Sequence, residues 1–186
     1  DTGRAIRSLF LDASMPEEIG KKLEEFYLNL SGRNDVEGID VAVRSSATAE
    51  DLPEASFTGQ QETFLNVKGI DELTDACRRC YASLFTDRAI SYREENGFDH
   101  MKVALSVGVQ KMVRSDRGGS GVMFTLDTET GFPDVVVINA AWGLGETVVQ
   151  GSVNPDEYMV FKPLLKNGNR PLVEKHRGSK MNKMVY

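Results

Sequence analysis

The sequence predicts an α+β fold, a mostly antiparallel sheet with packed helices, and three observations carry that prediction. Stretches near 15–32 and 71–97 set apolar residues at helical spacing among charged ones. Short runs at 103–113, 122–125, 135–141 and 158–161 are rich in apolar and β-branched residues, as strands are. Between consecutive strands, Asp116-Arg117-Gly118-Gly119 and Thr128-Glu129-Thr130-Gly131 supply turn chemistry, which favours hairpins over parallel crossovers.

Residues 1–13 read as a lead-in arm, whose abrupt start suggests a preceding segment. Ser14-Met15-Pro16-Glu17 has the form of a capping box with proline in the first turn. A helix follows in which Ile19, Leu23, Phe26 or Tyr27, and Leu30 share one face and Glu17, Glu18, Lys21, Lys22, Glu24 and Glu25 the other; Ser31-Gly32 ends it. Val41, Ala42 and Val43 read as the end of a buried strand, followed by a polar loop from Ser45, with an apolar strand resuming at Thr63-Phe64-Leu65. Asp71 is placed to cap a helix running to about Phe85. Asp87 begins another that stops at Asn96-Gly97, and both are expected to pack against the sheet. The run from Val103 to Val113 alternates poorly but has strand composition. No internal repeat or low-complexity tract interrupts the chain.

Composition narrows the function classes. A chain of 186 residues suits one domain or two small lobes around a cleft. Twenty-eight acidic against 22 basic residues give a net charge of −6, which argues against a general nucleic-acid or anionic-membrane surface, so any anion site is local. No apolar run is long enough to span a bilayer and no signal peptide is recognisable, so a cytoplasmic location is expected. Cys77 and Cys80 form a CxxC without a second pair, and His100 and His176 complete no zinc spacing. The cysteines share a helix face with Leu73, Ala76, Tyr81 and Leu84, and are expected to be free packed thiols.

The most informative stretch is 41–67. Arg44 follows an apolar strand and presents a planar five-donor fork that keeps its charge. Ser45, Ser46 and Thr48 add hydroxyls, while Ala47, Ala49, Ala55 and Gly59 keep the loop slim enough for backbone N–H groups to approach phosphate oxygens. The alternative is an arginine in a structural ion pair with Glu50 or Asp51, followed by an ordinary hairpin. The Trp142-Gly143-Leu144-Gly145-Glu146 segment has two glycines but lacks the third of a dinucleotide fingerprint.

RSSATAEDLPEASFTGQQETFLN at 44–66 resembles the nucleotide-binding segment of the pyruvate, phosphate dikinase-like family of phosphotransferases. VGVQKMV at 107–113, SGVMFTLDTETG at 120–131, NAAWGLGETVVQGSVNPDEY at 139–158 and KMVY at 183–186 resemble the same family in the same order. The resemblance implies an ATP-grasp type nucleotide-binding domain, incomplete in this chain, in which two lobes hold ATP. Residues 1–40 would be its helical leading segment, 41–100 the phosphate loop and helices, and 101–186 the adenine-side sheet lobe. A lysine-bearing segment from the family's start and a downstream acidic, amide-bearing segment that helps hold magnesium are not found here.

By this resemblance Arg44 is the phosphate-binding arginine and the catalytic candidate, and Ser45, Ser46 and Thr48 through Gly59 form a lid over the phosphates. Gln110, Met112 and Val113 lie along adenine, and Glu146 is a ligand or orienting group near the nucleotide. Ser120-Gly121 is either a turn beside the phosphates or a plain hairpin. Glu50 and Asp51 approach magnesium or orient Arg44, and no metal ligand is assigned. The parent enzyme would use ATP, Mg2+, pyruvate and water to make phosphoenolpyruvate, AMP and phosphate. A histidine on a separate swivelling domain would take the β-phosphoryl group, and pyruvate would be met only on a further domain. Neither His100 nor His176 sits in that histidine's motif, so this fragment alone would be inactive. Pyruvate, phosphate dikinase, an antibiotic phosphotransferase and a non-catalytic nucleotide-sensing module are the alternatives.

Overall fold

The computed structural model describes residues 2–48, 51–52, 55–56, 62–165 and 168–186. These divide into two compact units, residues 1–112 and 113–186.

In the first unit α1 (Thr2–Asp12) and α2 (Glu17–Gly32) lead into β1 (Val41–Ala47). Then come the short β2 (Asp51–Leu52) and β3 (Ala55–Ser56), β4 (Thr63–Val67), α3 (Ile70–Ser83), α4 (Asp87–Glu95) and β5 (Leu105–Lys111). β1 is the middle strand of an antiparallel sheet ordered β4-β1-β5, and β2 pairs with β3. Its Val41 and Val43 are fully buried against Leu73, Ala76, Cys77 and Cys80 of α3, which packs on the sheet. Tyr27 closes this core. Its hydroxyl donates to the Ile39 carbonyl at 2.9 Å and accepts from the Gly69 N–H at 2.8 Å, tying α2 to the starts of both β1 and α3. Each such bond contributes about 1 kcal/mol net.

Several sequence expectations are corrected here. The supposed arm 1–13 is largely helix, because Gly3 lets α1 lie against Phe85: a Cβ there would come within 2.7 Å of its carbonyl. Arg78 then caps the end of α1 by donating to the carbonyls of Leu11 and Ala13, both at 3.1 Å. Ser14 caps nothing. Pro16 occupies the N-cap of α2 with no side-chain cap bond, and Glu17 and Glu18 in the first turn complement the helix dipole. Asp71 lies inside α3, whose N-cap is Gly69, and Glu72 reaches back to accept from the Lys68 N–H at 3.0 Å. For α4 the cap is Thr86, which accepts from the Ala89 N–H at 3.2 Å.

The second unit is an antiparallel meander, β6 (Gly119–Phe124), β7 (Val135–Trp142), β8 (Asp156–Phe161) and β9 (Leu172–His176), hydrogen-bonded in that order. One-turn helices α5 (Glu146–Val149) and α6 (Lys162–Leu165) fall between its later strands. Val135, Ala141, Leu144 and Thr147 are buried in it. The Thr128–Gly131 turn joins β6 to β7 as expected. Asp127 accepts from the Thr130 hydroxyl and from the Glu129 N–H at 3.1 Å, and those hydrogen bonds, the Thr130 one foremost, hold its carboxyl below the usual carboxylate range. The Asp116–Gly119 turn makes no hairpin, because β5 pairs with β1 while β6 starts the second sheet. Among the described residues no helix is long and apolar enough to cross a membrane.

Candidate functional site

Alternation along β1 and β5 builds the first candidate surface. β1 continues through Arg44, Ser45 and Ser46 to Ala47, so the stretch expected to be loop from Ser45 onward is strand to that point. Val41, Val43, Ser45 and Ala47 are buried, whereas Arg44, Ser46 and Thr48 are exposed. On β5, Leu105, Val107 and Val109 pack against the core, leaving Ser106, Gly108 and Gln110 on the open side. The register sets Ala42 beside Gln110, Arg44 beside Gly108 and Ser46 beside Ser106, with Thr63 of β4 on the other flank of Arg44. A guanidinium therefore stands on a polar sheet face between a glycine and a threonine.

Gly108 is not required by its backbone, since an added Cβ would meet only the Arg44 carbonyl at an ordinary 3.8 Å. Its effect is to leave the space beside Arg44 open. The ion pairs formed among the described residues do not include Arg44. An apolar cleft of about 570 Å³ lies on the opposite side of this sheet, lined by α2, α3, Val107 and Val109, and has none of these polar groups.

The other candidates in this unit are placed as follows. Ser45 faces away from Arg44, toward the core, and its hydroxyl donates to the Glu62 carbonyl at 3.3 Å. Thr48 sits on the open side, where its hydroxyl accepts from the Ala104 N–H at 3.1 Å. Gly59, Glu50 and the side chain of Asp51 lie outside the described residues. Met112 is buried and its N–H donates to the Asp40 carbonyl at 2.9 Å, so that amide is engaged within the chain.

In the second unit, the carbonyl of Val113 accepts from the Ser115 N–H at 2.7 Å and from the Tyr186 hydroxyl at 2.6 Å, which occupies both its lone pairs. Glu146 is half-buried at the start of α5 and accepts from the Gln150 side chain at 2.8 Å. The turn before it depends on one glycine. Gly143 has φ +82 and bridges to Met184, while Gly145 has φ −65 and needs no special freedom. Ser120 supports the same turn by donating to the Gly143 carbonyl at 2.7 Å.

Sequence reasoning missed Ser106, Gly108 and Thr63 as neighbours of Arg44. The period-two pattern Leu105-Ser106-Val107-Gly108-Val109-Gln110 was the available signal. Of the segment 178–186 sequence reasoning marked only KMVY at 183–186, by resemblance, and it missed residues 178–182 and the contacts the segment makes, because the stretch carries no apolar periodicity. There Asp156 accepts from the Gly178 N–H at 2.9 Å and from the Lys180 ammonium, and the Lys180 bond foremost holds the Asp156 carboxyl below the usual range.

Cys77 and Cys80 are buried free thiols; burial pushes them up to about 11 and about 12 respectively. A raised native value is a stabilising contribution that is present below the ordinary thiol value near 8.5 and lost as pH rises toward the native values. Both thiols are therefore expected to resist iodoacetamide at pH 8 until the chain unfolds; labelling of the folded protein within minutes would contradict this. His100 serves packing. Arg93, itself buried, donates from Nε to its Nδ1 at 2.8 Å, leaving Nε2 to donate to Glu94 at 2.6 Å. Among the described residues no three His, Cys, Asp or Glu side chains gather as a metal site.

A family model described as "Pyruvate phosphate dikinase, AMP/ATP-binding domain" matches residues 1–186. Phosphoenolpyruvate synthase of Synechocystis sp. is 60% identical over 190 residues, which cover 100% of this chain and 23% of that protein. The Aquifex aeolicus protein of the same name is 59% identical over 184 residues, 99% of this chain and 22% of its own length. That of Escherichia coli is 55% identical over 184 residues, 99% of this chain and 23% of its own. The chain thus spans less than a quarter of the length of these relatives.

Proposed function

The chain belongs to the pyruvate phosphate dikinase AMP/ATP-binding domain family, and we propose that it is the ATP-binding part of a phosphoenolpyruvate synthase, of ATP-grasp type. The parent enzyme converts ATP, pyruvate and water to phosphoenolpyruvate, AMP and phosphate. ATP first passes its β-phosphoryl group to a histidine on another domain, and pyruvate receives it on a further one. The observation that carries this reading is Arg44, exposed on a polar sheet face with Gly108 beside it.

Phosphoryl transfer spreads charge over equatorial oxygens, and a fixed guanidinium stabilises that charge without reorganising. Arg44 grips the triphosphate tail, and Ser46 and Thr48 with the segment through Gly59 cover it. Ser45, turned inward, holds β1 to the segment before β4. Gln110, Met112 and Val113 line adenine. There Gln110 adds a polar contact while Met112 and Val113 supply apolar cover from their side chains, since the Met112 N–H and Val113 carbonyl are already bonded within the chain. Glu146 orients the nucleotide from its short helix. Magnesium enters with ATP.

Incubating the full-length protein with β-labelled ATP and magnesium is expected to leave acid-labile label on a histidine. Pyruvate should discharge that label to phosphoenolpyruvate without consuming inorganic phosphate. ATP binding without label transfer would favour a nucleotide-sensing module. Consumption of inorganic phosphate would favour a pyruvate, phosphate dikinase, and transfer to a drug an antibiotic phosphotransferase.

A further inference from the structure

Segment 178–186 is a strap that joins two stretches of the second unit otherwise far apart in sequence. At its upstream end Gly178 passes so close to Pro155 that a Cβ would sit 2.1 Å from the Pro155 carbonyl. The Gly178 and Ser179 N–H groups donate to the side chains of Asp156 and Asn154 at 2.9 and 2.7 Å, and Lys180 pairs with Asp156. Downstream, the Met184 carbonyl accepts from the Leu144 N–H at 2.9 Å, beside the bridge to Gly143. Two residues later the Tyr186 hydroxyl donates to the Val113 carbonyl at 2.6 Å, and the Arg114 guanidinium lies 4.6 Å from the Tyr186 ring centre. Asp116 clamps that guanidinium from two sides, at 2.8 and 2.6 Å.

The strap thus touches the glycine turn that launches Glu146 and the segment that carries Val113. Neither is self-supporting: α5 has 4 residues, too few to pay the cost of its own nucleation, and Val113 is 78% exposed. We propose that Tyr186 is a positioning residue for ATP, acting through the strap to hold Val113 and the Gly143–Glu146 turn in one fixed relation. This rests on the nucleotide-binding reading given above. Because Val113 lies outside the core, losing the hydroxyl leaves the packing of Val135, Ala141 and Leu144 in place.

The test is Tyr186→Phe in the full-length protein, which keeps the ring over Arg114 and removes the hydroxyl that donates to the Val113 carbonyl. The expected result is a KM for ATP raised about fivefold with kcat within about twofold. The thermal midpoint should stay within about 2 °C. Hydrogen exchange at the Leu144 amide should quicken about fivefold, while that of Ile138 in β7 stays slow. An unchanged KM overturns the proposal, and so does unchanged exchange at Leu144. A joint fall of kcat and thermal midpoint also overturns it, since that marks a merely structural bond. Exchange is measured without nucleotide, so it tests the strap by itself, whereas failure of the wild-type protein to bind ATP sinks the nucleotide reading.

Discussion

Arg44→Ala in the full-length protein lowers the rate of phosphoryl transfer from ATP by about 100- to 1000-fold, the loss typical of a donor aimed at developing charge. Its thermal midpoint moves by less than about 2 °C. The two halves of this expectation come from separate observations. The side chain is exposed and pairs with no described carboxylate, so its removal uncovers no buried partner among the described residues. Meanwhile the fold around it is held by Val41 and Val43 on the other face of the same strand. Arg44→Lys keeps the charge but loses the planar fork, and so recovers only part of the rate. Stopped transfer measurements beside calorimetric unfolding decide the matter. A large fall in thermal midpoint with normal ATP affinity would return Arg44 to a structural ion pair.

Gly143→Ala destabilises the second unit by about 2–4 kcal/mol, and Gly145→Ala by about 0.5 kcal/mol or less. The residues are two apart in one motif, and geometry separates them. At φ +82 an alanine at 143 is strained in any surroundings, and its Cβ would stand 2.2 Å from the Met184 carbonyl oxygen, so the strap must move. At 145 the backbone is ordinary and the new methyl would meet Ser120 at 3.5 Å, a normal contact. Denaturant unfolding followed by the fluorescence of Trp142, which ends the neighbouring strand, measures both. Equal effects at the two positions would mean that the strap does not hold the turn.

The clearest sequence signals were those that express local rules. Apolar spacing in 17–32 and 70–95 reported helices because one helical face must be buried, and the choice between Phe26 and Tyr27 fell to Tyr27 once its hydroxyl found two backbone partners. Turn chemistry around Asp127 and Gly131 reported the β6–β7 hairpin for the same local reason. β9 escaped notice because all its residues are exposed: it is held at the sheet edge by the ladder to β8 and so leaves no hydrophobic pattern. The continuation of β1 through Ser45 and Ser46 was hidden by small polar residues that read as loop, although Ser45 is buried.

Residue identity alone was enough to establish an α+β chain, a permanent cation after an apolar strand, and a family resemblance spread along five segments. Pairing partners lay beyond its reach. That Gly108 and Thr63 flank Arg44, that Ser45 turns inward, and that Met184 and Tyr186 bind the glycine turn and Val113 all depend on register and on contacts across 17 to 73 positions of chain. Helical periodicity and turn preference are written in neighbouring residues, because backbone sterics act over a few bonds. Which strand lies beside which is settled only when the whole core is buried at once, and that is what gave Arg44 its open polar surroundings.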